Sequence, residues 1–152
     1  MPGELILLVE DNDNNRLLVR DVLQASGYRV VEAENAEDGL RMAAETSVLN
    51  NNYLLAKVLE IRGVSMPYTK GKRRIEQVRY SWEQLTNDTG VHSEEIGFRA
   101  ADFGTHYWTS HHPFVVPEPM TLEPTESYSK EDLDEYVTIL KHIAEEAYTN
   151  PD

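Results

Sequence analysis

A short apolar run that ends on two adjacent carboxylates constrains the fold of this chain more than any other feature. Leu5 to Val9 read LILLV, and Glu10 and Asp11 follow directly. A continuous apolar run of this length is typical of a strand that is covered on both faces of its sheet. We therefore expect a buried strand with two acidic side chains at its carboxyl end.

The residues that follow predict a βαβ unit. Asp13 is placed to cap a helix, Gly27 to end it, and the sequence YRVVEA at 28–33 to form a second strand. The apolar stripe of the helix would consist of Leu18, Val19, Val22 and Leu23. Two strands joined by a helix within about 30 residues are expected to be parallel, with a right-handed crossover.

The remainder of the chain predicts a long connecting helix and a second group of strands and helices. Helical spacing runs from Ala36 to about residue 61, and we favour one continuous helix although the asparagines at 50–52 are poor helix formers. A strand is predicted at VRYSW, with Val78, Tyr80 and Trp82 on one face, and a helix is predicted from a Ser93 cap to Gly104. Short strands are predicted around YWTSH and MTLEP. The last predicted helix begins with a capping box of Ser129 and Asp132. The apolar stripe of that last helix would be Leu133, Val137, Leu140, Ile143, Ala144 and Ala147. We predict an α/β fold: a βαβ unit, a long connecting helix and a mixed, partly antiparallel sheet with helices packed on it, within a single domain 1–152.

Composition limits the classes of function. The formal net charge of −13 disfavours a nucleic-acid partner, because most of the surface would repel phosphates. The basic cluster Lys70, Lys72, Arg73 and Arg74 is interpreted as a solvated loop. The chain has no cysteine, and no apolar run approaches the roughly 18 residues of a membrane span. We expect a cytoplasmic protein without nucleic-acid or membrane partners, either a monomer or a homodimer.

Three groups of residues are candidates for metal chemistry. Glu10 and Asp11 could bind a divalent cation such as Mg²⁺ weakly, since paired carboxylates are partial ligands for hard cations. His106, His111 and His112 with Glu118 suggest a transition-metal cluster, but adjacent histidines on a strand point to opposite faces, so this site is disfavoured. The DFG at 102–104 lacks the other kinase motifs and is explained by a glycine at a helix end.

Residues 1–44 resemble the first third of a bacterial response-regulator receiver domain. The resemblance rests on ILLVEDNDNNRLLVRDVLQASGYRVVEAENAEDGL. It implies that Glu10 and Asp11 would help hold magnesium for phosphoryl transfer to an aspartate after a third strand. No such aspartate follows: Asp88 lies in a polar loop pattern and Asp102 near a helix end. The acidic pair would therefore have no phosphate to serve.

Residues 45–152 resemble the C-terminal part of the P protein of the glycine cleavage system, the pyridoxal-phosphate-dependent glycine decarboxylase. The motifs are ETSVLNNNYLLAKVLEIRGVSMPY, KGKRRIEQVRYSWEQL, DFGTHYWTSHHPFVVPEP and LEPTESYSKEDLDEY. The resemblance implies the small C-terminal domain of a fold-type-I enzyme, with the cofactor lysine upstream. No lysine matches that position among Lys57, Lys70, Lys72, Lys130 and Lys141.

The two resemblances together lead us to interpret the chain as an engineered chimera that joins fragments 1–44 and 45–152. Half a domain leaves an open core, so a natural fusion would more often join whole domains. We expect no catalytic activity and no cofactor, because both the phospho-acceptor aspartate and the pyridoxal-phosphate lysine are missing. Two alternatives stay open. One is a degenerate receiver-like module that binds a cation or a partner, and the other is a fragment of glycine dehydrogenase (decarboxylating) with residual pyridoxal-phosphate binding.

Overall fold

A computed structural model describes residues 3–67, 71–75, 77–105 and 116–151. Within these ranges the elements follow in the order β1 (Leu5–Val9), α1 (Asp13–Ala25), β2 (Arg29–Ala33), α2 (Ala36–Val58), β3 (Val78–Ser81), α3 (Glu83–Thr89), α4 (Ser93–Asp102), β4 (Pro119–Leu122) and α5 (Lys130–Thr149). Contacts divide the chain into an N-terminal unit, residues 1–47, and a C-terminal unit, residues 48–152. The boundary falls inside α2, three residues beyond the boundary expected from the sequence.

The N-terminal unit contains the predicted βαβ arrangement. Strand β1 pairs with β2 in parallel, from Leu5 opposite Arg29 to Val9 opposite Ala33. The cap of α1 is Asn12 rather than the predicted Asp13, since the Asn12 side chain accepts hydrogen bonds from the N–H groups of the first turn. The α/β class and the parallel pairing are thus confirmed.

Burial in the N-terminal unit differs from the prediction. Leu5 and Val9 are 56% and 44% exposed, and on α1 Leu18 and Val22 are 64% and 58% exposed. The expectation of a strand buried on both faces, with the helix stripe packed against the sheet, is therefore wrong. A strand is buried on both faces only where other elements pack on each side of its sheet. The sheet that residues 3–47 form has only two strands and offers little surface for such packing.

The C-terminal unit has the larger core. Strand β3 pairs antiparallel with β4, from Val78 opposite Leu122 to Ser81 opposite Pro119. Tyr80 and Trp82 are fully buried and pack edge to face, with ring centroids 5.8 Å apart. The whole predicted stripe of α5 is buried: Leu133, Val137, Leu140, Ile143, Ala144 and Ala147. Its capping box is also confirmed, since Ser129 and Asp132 exchange hydrogen bonds between side chain and backbone N–H in both directions.

Several elements depart from the sequence prediction in detail. The short helix α3 was not expected, because Leu85 is its one apolar residue; Gly90, with φ of +83°, ends it in the left-handed conformation. Helix α4 is capped by His92 and not by Ser93, and it ends at Asp102. The predicted strand around YWTSH lies outside the described residues. The parallel and antiparallel pairs lie in two separate sheets of two strands each. Among the described helices none combines the length and the apolar character that crossing a lipid bilayer requires.

Candidate functional site

The acidic pair at the end of β1 lies next to Arg16, which bonds the Glu10 main chain. The Glu10 side chain accepts a hydrogen bond from the Asn12 N–H at 3.1 Å, and Asp11 is exposed. Arg16 donates to the Glu10 carbonyl at 2.8 Å and forms an ion pair with Asp13 at 2.5 Å. Its side chain is only 12% exposed. The guanidinium thus supplies positive charge beside the acidic pair, which disfavours a second cation there.

In the part of the chain that the structure describes, no third ligand joins Glu10 and Asp11. Among the described residues no group of three or more histidine, aspartate or glutamate side chains is arranged to hold a metal ion. Weak cation binding by Glu10 and Asp11 stays a prediction. Of the second candidate group, His106, His111 and His112 lie outside the described residues, and only Glu118 can be placed.

Glu118 lies where three elements of the C-terminal unit meet. Its φ is +49°, and within the described ranges it is the one non-glycine residue with a positive φ. The Glu118 carbonyl accepts the Trp82 N–H at 3.0 Å, and the Ser81 hydroxyl donates to the Pro117 carbonyl at 2.6 Å. These residues connect the end of β3 with the start of β4. We name this region the Glu118 corner and define it as Ser81, Trp82, His92, Ser93, Pro117 and Glu118.

The Glu118 carboxylate reaches the start of α4. One oxygen accepts a hydrogen bond from the Ser93 N–H at 2.7 Å, and the other accepts a hydrogen bond from Nδ1 of His92 at 2.8 Å. Burial acts to raise the pKa of Glu118, but the hydrogen bonds from Ser93 and His92 outweigh it, so that pKa lies below its usual value. The hydrogen bond to Glu118 raises the pKa of His92. Both carboxylate oxygens are thus already engaged within the protein, which disfavours Glu118 as a metal ligand.

Three consecutive asparagines on α2 form a second polar feature. From the sequence they were expected only to be poor helix formers that could break the helix. Asn50 donates to the carbonyls of Thr125 and Tyr128 at 2.8 and 2.9 Å. Asn52 donates to the Arg74 carbonyl at 2.7 Å and accepts the Arg74 N–H at 2.9 Å. The long-range bonds of these amides offset their low helix propensity, so α2 continues through them to Val58.

Between them, the amide of Asn51 is 0% exposed, and both of its polar atoms lack a partner in the described part of the chain. A buried amide without partners is destabilising, so the packing around Asn51 must offset that penalty.

The described lysines do not fit the role of covalent attachment to pyridoxal phosphate. Three of them pair with surface carboxylates: Lys57 with Glu60, Lys130 with Asp134, and Lys141 with Glu60. Lys72 is exposed, and Lys70 lies outside the described residues. The hydrogen bond to Asp134 raises the pKa of Lys130, which keeps its ammonium protonated, whereas attack on an aldehyde requires the free amine. The absence of a cofactor-binding lysine nevertheless stays a prediction.

The DFG motif has a structural role. Asp102 is the last residue of α4 and pairs with Arg99 at 3.1 Å. The Phe103 ring contacts His142 edge to face, with centroids 5.6 Å apart, and Gly104 has φ of +75°. These are the contacts of a helix end, as the sequence indicated.

The architecture is that of an α/β domain, and comparison with known proteins identifies its family. The family described as "Glycine dehydrogenase, C-terminal domain" matches residues 43–150, and the chain belongs to this family. A solved structure of glycine decarboxylase, the P-protein of the glycine cleavage system, in an inhibitor-bound form, matches with a TM-score of 0.58. That match covers 84% of this chain and 25% of the other at 23% identity, and it establishes the likeness of the folds alone.

Relatives from several organisms carry the same name. The chain is 47% identical over 116 residues to the "Probable glycine dehydrogenase (decarboxylating) subunit 2" of Pyrococcus furiosus. It is 46% identical over 116 residues to the protein of that name from Thermococcus gammatolerans, and 43% identical over 115 residues to that from Thermotoga maritima. Each match covers 76% of this chain but only 22%, 22% and 23% of the respective relative. The chain thus spans about a fifth of the length of these relatives.

These findings overturn the interpretation of the chain as an engineered chimera. The match with the Pyrococcus furiosus protein covers 116 residues and is therefore longer than the segment 45–152. It consequently runs across the junction that was expected between residues 44 and 45. The expectation of a de novo chimera with a receiver-like half is wrong, and the alternative of a glycine dehydrogenase fragment fits better. The first 44 residues misled because a βαβ pattern with an acidic strand end is short and recurs among α/β folds.

Proposed function

We propose that this chain is the C-terminal part of a decarboxylating glycine dehydrogenase and that it supports the reaction without carrying the cofactor. The observation that carries this proposal is the family match over residues 43–150 together with relatives at 43–47% identity. In this assignment the substrate is glycine and the cofactor is pyridoxal phosphate, held by the part of the enzyme that this chain does not span. The contribution of the chain would be to complete and shape the site.

The chain by itself is proposed to be inactive and to bind no pyridoxal phosphate covalently. The described lysines support this, because three are paired with carboxylates at the surface and Lys72 is exposed. Decarboxylation of glycine needs an electron sink that amino-acid side chains do not provide, and pyridoxal phosphate supplies that sink when bound. We further propose that the protein acts in the cytoplasm, as a monomer or homodimer, without nucleic-acid or membrane partners.

The proposal is tested by mixing the purified chain with the complementary upstream portion of a relative, in the presence of pyridoxal phosphate and glycine. The upstream portion alone should release little CO2, the chain alone none, and the mixture clearly more than either. A matched control is the chain with Leu140→Asp, which places a charge in the core and should abolish the gain. A mixture no more active than the upstream portion alone would refute the supporting role.

The absence of a cofactor is tested separately on the chain alone. After addition of pyridoxal phosphate and reduction with borohydride, mass spectrometry should find no lysine that carries the pyridoxyl group in appreciable yield. Specific, saturable modification of one lysine would contradict the proposal. Light scattering decides between monomer and homodimer.

A further inference from the structure

The backbone of Glu118 is in a conformation that its residue type does not favour. A φ of +49° is accessible to glycine without a penalty, whereas a side chain with a Cβ crowds the backbone there. Prolines flank the residue on both sides at 117 and 119. Each proline fixes its own φ and lacks an N–H donor, so this stretch has few ways to relax. Strained conformations of this kind persist where the surrounding contacts over-determine them, and they concentrate at functional positions.

The backbone on both sides of Glu118 is anchored to the best-buried part of the C-terminal unit. Ser81 and Trp82 are both 0% exposed. The Ser81 hydroxyl bonds the Pro117 carbonyl, and the Trp82 N–H bonds the Glu118 carbonyl. The Trp82 bond continues the antiparallel pairing beyond its last register pair, Ser81 opposite Pro119, and the side-chain bond from Ser81 fixes the residue before Glu118. The direction of the chain as it enters β4 is therefore fixed from the side of β3.

The side chain explains why the residue is a glutamate and not a glycine. Its carboxylate bonds the Ser93 N–H and the His92 ring, and its side chain is 21% exposed. A carboxylate at the beginning of a helix also interacts favourably with the partial positive charge of that end. Glycine would satisfy the backbone but would lose the connection to α4.

We propose that Glu118 is a positioning residue: it sets the point and direction at which the chain enters β4, against α4 and β3. The consequence for activity rests on the proposed function, because Glu118 lies in the sequence DFGTHYWTSHHPFVVPEP, within the segment that matches the glycine dehydrogenase family. The consequence for the fold does not rest on it. Two measurements on the full chain and one on the mixed enzyme separate these claims.

The first measurement is the sign of the stability change in Glu118→Gly. If the Glu118 side chain contributes no stabilising contact, glycine relieves the backbone strain and raises the unfolding midpoint. If the carboxylate holds the corner, the midpoint falls despite that relief, by about 2–4 °C for the net loss of one hydrogen bond in a chain of this size. Glu118→Gln keeps an acceptor for the Ser93 N–H and should recover part of the loss. Glu135→Gln, at an exposed position in the middle of α5, is the control and should leave the midpoint unchanged. A midpoint that rises in Glu118→Gly overturns the proposal.

The second measurement is the titration of His92 by NMR in the full chain. The groups that face His92 are Glu118 and, more weakly, Glu95. In the native protein the His92 pKa should lie above its ordinary value of 6.5, and in Glu118→Gln it should return close to that value while the protein stays folded. The control Glu135→Gln should not move it. An unchanged titration in Glu118→Gln would show that the pair does not form, and the corner would then lack its link to α4.

The third measurement is CO2 release from glycine by the mixed enzyme described above. Glu118→Gly should lower the turnover several-fold at a temperature where the variant is fully folded, with Glu118→Gln intermediate. Turnover equal to that of the native chain would overturn the positioning role in the reaction while leaving the proposed function intact. If the native mixture is itself inactive, the proposed function fails, and the first two measurements still decide the role of Glu118 in the fold.

Discussion

The side chain of Asn52 and the backbone of Arg74 exchange two hydrogen bonds. The side-chain amide thus bonds the Arg74 N–H and carbonyl in the way that a residue on a neighbouring β-strand would. The donor nitrogen of Asn52 lies 2.7 Å from the Arg74 carbonyl, and its oxygen lies 2.9 Å from the Arg74 nitrogen. Residue 74 belongs to the basic stretch that the sequence suggested was a simple solvated loop. The pairing shows that helix α2 fixes the position of the Arg74 backbone.

Replacing Asn52 by leucine should therefore destabilise the C-terminal unit. The side chain keeps a similar size, but both bonds to Arg74 are lost, and a typical net contribution of about 0.5–1.5 kcal/mol for each gives a total of about 1–3 kcal/mol. Denaturant unfolding followed by circular dichroism measures this value. Asn15→Leu, at an exposed helical position in α1, is the matched control and should change stability by less than about 0.5 kcal/mol. Equal effects of the two substitutions would show that the Asn52–Arg74 pairing contributes nothing.

Local patterns predicted α5 well because each residue of its apolar stripe and of its capping box lies no more than four positions from the next. The spacing of Leu133, Val137 and Leu140 marks one helix face, and the capping box needs only Ser129 and Asp132. Both were confirmed. For the same reason the parallel β1–β2 pairing, which a short crossover dictates, could be read from the sequence.

The errors arose where the outcome depends on distant residues. Leu18 has the spacing of a core residue, but burial also needs an element to pack on it, and in this unit it is 64% exposed. The corner was missed because the partners of Glu118 precede it by about 25 residues, and no local pattern encodes its positive φ. The asparagines of α2 were interpreted by propensity alone, whereas their bonds reach Arg74 and Thr125.

Leu140 and Leu18 give a direct test of which apolar stripe forms a core. Leu140 is 0% exposed, so Leu140→Ala should cost about 2–5 kcal/mol for the lost burial and the cavity left behind. Leu18→Ala should cost less than about 0.5 kcal/mol, although both residues lie on an apolar helix stripe. Equilibrium unfolding in urea measures both values. A large loss in Leu18→Ala would mean that the stripe of α1 is buried in solution.

Gly63 and Gly71 separate steric crowding from backbone strain. Both have positive φ, +86° and +79°, so an alanine should be strained at either position. A Cβ at Gly63 would lie 2.6 Å from the Leu85 Cβ and 2.9 Å from the Tyr148 hydroxyl, whereas one at Gly71 would have no atom of the described residues within 4 Å. We expect Gly71→Ala to cost about 1 kcal/mol and Gly63→Ala at least about 2 kcal/mol more, as for overpacking in a core. Thermal unfolding of the two variants side by side checks the difference, and equal midpoints would contradict it.

The capping box of α5 should make stability depend on pH in the acidic range. The hydrogen bond from the Ser129 hydroxyl, followed by that from the Ser129 N–H, holds the pKa of Asp132 below its ordinary value of 3.8. A carboxyl group whose pKa is lower in the folded state stabilises the protein above its unfolded pKa, and this contribution is lost as the pH falls through the folded pKa. Asp132→Asn should therefore be less stable than the native chain at pH 7, and the difference should shrink below pH 3.8 as the native carboxyl becomes neutral.

Glu131→Gln alters a charge in the same first turn outside the capping box and serves as the control for a general charge effect. Urea unfolding at a series of pH values measures the two differences, and an Asp132→Asn difference that is the same at pH 7 and pH 3 would show that the carboxylate charge does not stabilise this helix.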